Sequence, residues 1–290
     1  GFFIKVAGVW ISALGTHSCI PSLPQASPGL KFSAWQVGRD LVQAFRIGSF
    51  SAVVSASIIA GMSQGMVQAL IIYTGLYFFE LSPNEMTFLF AGGVFGVVTG
   101  SMLTRPLATI VREKKHLYMM GYCWYAVLTS YVIILRLLDL LPPNEHPIVA
   151  PLYIISGTIS GIGLGLAVPL GASMIADITD EHERRFGNRQ EGIYYAAASF
   201  AGKAVGGSGS ILAGLIIDFA GITQGTDPAL VAPEAVARFG WALGPAVIVL
   251  VALALICISF YSISRTDHEA ILGEINSRKD QEAVRVGREA

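Results

Sequence analysis

Eight charged residues crowd into one short segment: Asp177, Asp180, Glu181, Glu183, Arg184, Arg185, Arg189 and Glu191. The run before it, Pro147 to Ala176, carries no charge, and the run after it, Gly192 to Ile217, carries only Lys203. Acids and bases packed this densely can pair, hold a passage shut and release it when the pairs break. They can equally form a solvated hairpin whose carboxylates cap helix ends. Lys203 lies twelve residues past Glu191. That is about 18 Å of helix at ~1.5 Å per residue, near the middle of a hydrocarbon core of roughly 30 Å. A charge at that depth costs at least ~2.5–3.5 kcal/mol, so it should face protein or water. Tyr195, Ser199 and Lys203, at i, i+4 and i+8, share one helix face, with Ser210 close to it. This face is a candidate solute-binding wall. The alternative is a structural lysine paired with a neighbouring helix, with Tyr195 and Ser199 packing beside it.

Gln64 and Gln68 share a face of another span and could hydrogen-bond a polar ligand or a neighbouring helix. Tyr118, Tyr122, Tyr125 and Thr129 form a stripe better suited to packing than to a ligand. Gly92, Gly96 and Gly100, and Gly157, Gly161 and Gly165, make small-xxx-small steps that bring helices close. The histidines sit in loops or at span edges, and His182 between Glu181 and Glu183 reads as a solvated loop rather than a metal ligand. No nucleophile–base pairing or phosphate loop is present, so no catalytic residue and no metal site are assigned. No span carries a His or acid cluster, so an enzyme is not expected. Cys19, Cys123 and Cys257 are far apart and odd in number, which gives neither a disulfide framework nor metal spacing.

The elements that must position these residues are long apolar runs. Hydrophobic residues make up 53% of the 290 and charged residues 13%, about half the charge of an ordinary soluble domain. Mean hydropathy is +0.60, so the chain is expected to be an all-α integral membrane protein with the lipid bilayer as solvent. Basic residues form no aromatic-interleaved patch, which argues against a nucleic-acid partner. Six runs are long enough to cross: 47–79, 86–104, 117–138, 147–176, 192–219 and 239–264. The first exceeds one crossing, so its ends must protrude or tilt. Gly1 to Leu14 reads as the end of a truncated span. The stretch 1–46 then adds a proline-rich linker and, over Ser33 to Arg46, an amphipathic helix in the membrane interface or an extension of the next span. Residues 265–290 form a charged tail expected to be a frayed helix. The charged segment between the fourth and fifth complete runs reads as a tight polar hairpin.

Lysine and arginine fall almost entirely on one side of these runs: Arg105, Arg112, Lys114, Lys115, Arg184, Arg185 and the tail basics share it, while Arg238 and Arg136 lie on the other. The basic side, including the C-terminus, is therefore expected to be cytoplasmic.

Asp177-x-x-Asp180, Gly187, Arg189, Glu191-Gly192, Tyr194-Tyr195, Ser199-Phe200 and Lys203 together resemble the loop between helices 10 and 11, and the start of helix 11, in the glycoside–pentoside–hexuronide:cation symporters. That family, which includes melibiose permease, belongs to the major facilitator superfamily. Phe186 departs from the Thr that many members carry before the Gly. Arg105-Pro106 with Arg112, Lys114 and Lys115 resembles the superfamily's basic loop between helices 8 and 9.

The resemblance covers the family's C-terminal half, six complete helices plus one truncated, or half of a twelve-helix bundle. It implies a secondary transporter of the bacterial inner membrane carrying a small polar solute, a sugar or glycoside, by alternating access. It also implies a coupling cation, Na+ or H+, with no other cofactor, whose site lies in an N-terminal half that would be the partner of this chain. Lys203, Tyr195, Ser199, Gln64 and Gln68 would line the cavity, and Asp177, Asp180, Arg184, Arg185, Arg189 and Glu191 would form a cytoplasmic gate. A lipid-like or amphiphilic solute, or a non-transporting membrane sensor or scaffold, remains the alternative.

Overall fold

Local chemistry sets where each helix begins and ends in the computed structural model, which describes residues 2–19, 44–187, 191–223 and 230–289. Residues 1–38 and 39–290 form two separate units. Of the first, helix α1, Phe2–Cys19, is described; it continues past the apolar run ending at Leu14. The expected interfacial helix over Ser33 to Arg46 lies outside the described residues except for Ala44 to Arg46.

Every regular element among the described residues of the second unit is a helix. Helix α2, Gly48–Tyr73, passes directly into a π-helical turn, Thr74–Phe78. The wide turn absorbs the surplus length of the first apolar run and seats Phe79 in a stack on Tyr153, with ring centroids 4.2 Å apart. Helix α3, Pro83–Ile110, starts on a capping box: Glu85 accepts from the Ser82 backbone N–H at 2.8 Å, and the Ser82 hydroxyl accepts from the Glu85 N–H. Pro83, which has no N–H to satisfy, occupies the first turn. Helices α4, Lys114–Leu137, α5, Val149–Phe186, α6, Glu191–Ala220, and α7, Pro233–Ser259, follow, then the tail helix α8, Arg265–Glu289.

Two groups of helices make up this unit. Helices α3 and α4 both pack along α5; α2 packs along α6 and α7; α4 joins the groups by packing on α7. Glycine makes the first group possible. A Cβ added to Gly96 would lie 2.0 Å from the Thr158 carbonyl oxygen, one added to Gly100 would lie 2.1 Å from that of Ile162, and one added to Gly165 would lie 2.0 Å from that of Val97. The α3 and α5 backbones therefore touch, as small-residue stripes allow when lipid supplies no hydrophobic drive between helices.

Among the described residues, five helices, α2 with its π-turn, α3, α4, α5 and α7, are long and apolar enough to cross a membrane. Only 22% of the most apolar stretch of α3 is buried, and the highest share is 56%, in α5. Phe88, Phe95 and Met102 on α3 and Ile248, Val249 and Ile256 on α7 are exposed. Outward apolar faces on this scale need lipid, not water. Helix α6 is 30 residues long, and its described apolar stretch, Gly207–Ala220, is shorter than a crossing.

One expectation fails outright. The charged segment is not a hairpin loop: α5 runs on through Asp177, Asp180 and Glu183 to Phe186, and ends at Gly187 with φ 77°. Arg184 and Arg185 in the last turn and a left-handed glycine just past it are ordinary helix-ending chemistry. The tail is likewise a capped helix. The Ser264 hydroxyl and backbone N–H donate to Asp267, and the Asp267 N–H donates back to the Ser264 hydroxyl.

Candidate functional site

The overrun of α5 creates the first candidate site. Asp177, Asp180, Glu181, His182 and Glu183 are all buried, although four are acids and the fifth a base and the segment was expected to be solvated. Burying carboxylates is tolerable only when they are paired and hydrogen-bonded, and their partners come from three other helix ends. Lys114, at the first residue of α4, places its Nζ 2.7 Å from both oxygens of Asp177. The Tyr261 hydroxyl, just past α7, donates to Asp177 over 3.4 Å. Burial, and then the adjacent Asp177 carboxylate, push the Tyr261 phenol up, so it remains a donor. His268 on α8 brings Nε2 within 3.0 Å of Asp180 and 3.4 Å of Asp177.

Arg184 and Arg185 both pair with Glu181, one turn back on the same helix. Arg184 also approaches Glu274 of α8 at 3.8 Å, while its carbonyl accepts from Arg278 at 3.2 Å. Lys115 donates to the carbonyls of Tyr261 and Ser259, where cations suit the end of α7. His182 meets the Tyr194 hydroxyl at 3.0 Å, bridging α5 to α6. Glu191 opens α6 and is exposed; Arg189 lies outside the described residues. The result is a charged clasp tying the same ends of α4, α5 and α8, with α7 joined through Tyr261. Glu181, Lys114, His268 and Tyr261 are the members that site assignment from sequence missed. Lys114 stood in a basic stretch already noted, but nothing local marks its partner.

The second candidate is a pocket of about 450 Å³. Helix α4 forms the floor through Tyr125, Leu128 and Thr129, and the walls come from α2, α3 and α5. Gln64 and Gln68 both line it, as the shared face suggested. Gln64 Nε2 donates to the Tyr122 hydroxyl at 2.9 Å. Thr129 and Ser160 hydroxyls pair at 2.7 Å, and Ser160 also reaches the Tyr125 carbonyl. The tyrosine stripe is therefore mostly packing, as expected, with Tyr125 and Thr129 also facing the pocket. Gln64, Val97, Tyr125 and Gly161 each lie near the middle of their helices, so the pocket sits at mid-membrane depth.

Tyr195, Ser199 and Lys203 do not line this pocket. They lie on α6; Tyr195 is 41% exposed and donates to the Ala172 carbonyl at 3.2 Å, and Ser199 is exposed. The helix places the Lys203 backbone near its own midpoint; the lysine side chain lies outside what is described.

The sequence profile of the family described as MFS/sugar transport protein matches residues 1–265. The chain belongs to that family. The match includes α1 to α7 and stops at the start of α8. It agrees with the resemblance carried by Asp177 to Lys203. MFS/sugar transport proteins are multi-pass membrane transporters, not enzymes. No curated protein matches the chain.

Proposed function

We propose that this chain is the C-terminal half of a secondary transporter that moves a sugar or glycoside-like solute, coupled to Na+ or H+, by alternating access. The observation that carries the reading is the mid-depth pocket with Gln64 and Gln68 in its wall. Transporters of this architecture bind solute near the bilayer midplane, between two repeats, and amide side chains suit hydroxyl groups. Lys203, Tyr195 and Ser199 on α6 extend the solute-facing wall. A complementary N-terminal half supplies the opposite wall and the coupling-ion carboxylates.

In this reading the basic end is cytoplasmic, by the distribution of lysine and arginine, in a bacterial inner membrane. Asp177, Asp180, Arg184, Arg185, Arg189 and Glu191 belong to the inward gate. Residues 1–46 form a span end, linker and interfacial helix; 47–264 form the six-helix half-bundle; 265–290 form the cytoplasmic tail. A second reading, an amphiphilic solute, is favoured by one observation: most of the pocket lining is apolar.

Uptake into proteoliposomes of the native protein tests the function. An imposed Na+ or H+ gradient should drive accumulation of a sugar or glycoside above an empty-vesicle control. Purified, folded protein that moves no solute from a broad panel under either gradient would leave the scaffold reading in its place.

A further inference from the structure

A second cavity, a groove of about 310 Å³, runs between α6 and α7 from the end where Ala220 closes one helix and Pro233 opens the other. Met66 of α2 is its floor, Ile216 and Phe219 of α6 form one wall, and Ala242, Ala246 and Val249 of α7 form the other. Met66 is fully buried whereas Phe219 and Val249 are exposed, so the groove opens outward, toward lipid. Two alanines one turn apart leave the space, and no lining side chain is polar. From Ala242 to Leu250 the groove follows α7 for about 12 Å, at ~1.5 Å per residue. That length fits within one leaflet, half of a hydrocarbon core of roughly 30 Å.

The head of the groove carries a cation. Arg238 is exposed and lies one turn before Ala242 on the same face of α7. Its Nε donates to the Glu234 carbonyl at 3.3 Å, and its Nη2 lies 3.8 Å from where a Cβ on Gly221, just past α6, would stand. The guanidinium thus reaches from α7 to the end of α6, across the mouth. No carboxylate among the described residues pairs with it. Trp241, also exposed, is three residues further on. Exposed tryptophans settle at headgroup level, the depth at which a phospholipid presents its phosphate.

We infer that this groove is a phospholipid site, with one acyl chain lying between α6 and α7 and the phosphate on Arg238. Lipid chains are as apolar as the groove walls, so filling the groove gains packing contacts rather than hydrophobic burial. Preference for this lipid over its neighbours therefore comes from the charge-assisted contact at Arg238. A partner helix seated in the groove would cover that cation without supplying an anion.

The native protein, stripped of lipid in detergent, is titrated with phosphatidylglycerol and with diacylglycerol of the same chains, and bound copies are counted by native mass spectrometry. One copy of phosphatidylglycerol should bind about 10-fold or more tighter than later copies and than diacylglycerol. Arg238→Gln should lower it to the diacylglycerol level. Ala246→Phe, which fills the groove, should remove the tight copy; Val249→Trp, at the exposed rim, serves if Ala246→Phe misfolds. Equal binding of the two lipids would overturn the inference. So would a tight copy that survives the groove-filling substitutions, or a preference for phosphatidylglycerol unchanged in Arg238→Gln. A dimer of the protein that is lost in Ala246→Phe, with no tight lipid, would assign the groove to a second copy and overturn it too.

Discussion

Lys114 Nζ stands 2.7 Å from both oxygens of the Asp177 carboxylate, joining the first turn of α4 to α5 at the point where α5 becomes charged. The two residues differ in exposure: the Lys114 side chain is 36% exposed and that of Asp177 7%. The acid is thus the member that depends on the contact, because it would otherwise be a buried carboxylate with only Tyr261 and His268 to satisfy it.

Lys114→Met should therefore destabilise by about 1–3 kcal/mol, less than for a fully buried pair because the lysine is partly hydrated. Asp177→Asn should cost less than Lys114→Met, since it leaves no buried charge behind. Thermal unfolding in detergent, with the double variant to close the cycle, measures the coupling. Equal melting temperatures for all variants would mean that the clasp adds nothing to stability.

Gly96→Ala and Gly93→Ala form a matched pair on one helix. The first puts a methyl 2.0 Å from the Thr158 carbonyl oxygen, and the second puts one in open space. Gly96→Ala should lose about 1–3 kcal/mol or fail to express, and Gly93→Ala should melt like the parent. The reverse order would mean that α3 and α5 are not in backbone contact.

Lys203→Met separates two roles for the α6 charge. If Lys203 faces the solute, uptake should fall sharply while the melting temperature holds, because an apolar side chain is the easier one to place in a membrane core. If it is half of a buried pair, its loss strands the partner at roughly 3–5 kcal/mol, and the protein should express poorly. Uptake and melting are read on one preparation; normal values for both would remove Lys203 from either role.

Orientation can be read without a substrate. After the native cysteines are replaced, Asn276→Cys, exposed on α8, should label only with membrane-permeant reagents in intact cells. Glu145→Cys, exposed between α4 and α5, should label with impermeant ones. Labelling of Asn276→Cys by an impermeant reagent would invert the topology.

Acid should loosen the tail before the bundle. The Ser264 hydroxyl, then its backbone N–H, hold the Asp267 carboxyl below its usual range. A lowered folded pKa means that the cap is fully formed above the ordinary aspartate pKa of about 3.9 and is lost as pH falls through the lower folded value. Hydrogen exchange in the first turns of α8 should accelerate over that window in the parent. In Ser264→Ala it should already be fast at neutral pH.

The apolar runs made the membrane class and most helices legible, because a lipid-facing helix must advertise itself in composition. The overrun of α5 was not legible from hydropathy, which stops at Ala176 where the charges begin. The better signal was local: nothing from Asp177 to Phe186 breaks a helix, and Arg184-Arg185 followed by Gly187 marks its end. That Gln64 and Gln68 share one face was legible from helical spacing alone. Asp177–Lys114 and Asp180–His268 could not be read off, since their members are 63 and 88 positions apart and only the packing of helix ends brings them together. The same limit applies to the pocket, whose floor and walls come from four different helices.

The backbone contact between α3 and α5 also bears on how this protein can move. With a carbonyl oxygen of one helix seated in the space where a methyl of the other would be, sliding by even one residue would drive Thr158, Ile162 or Val97 into a side chain. The two helices cannot shear; they must swing as a single lever and carry one wall of the pocket with them. Any rocking within this unit is then left to the seam where α4 meets α7 and α2 passes α5, and the compliance of the transporter is concentrated there.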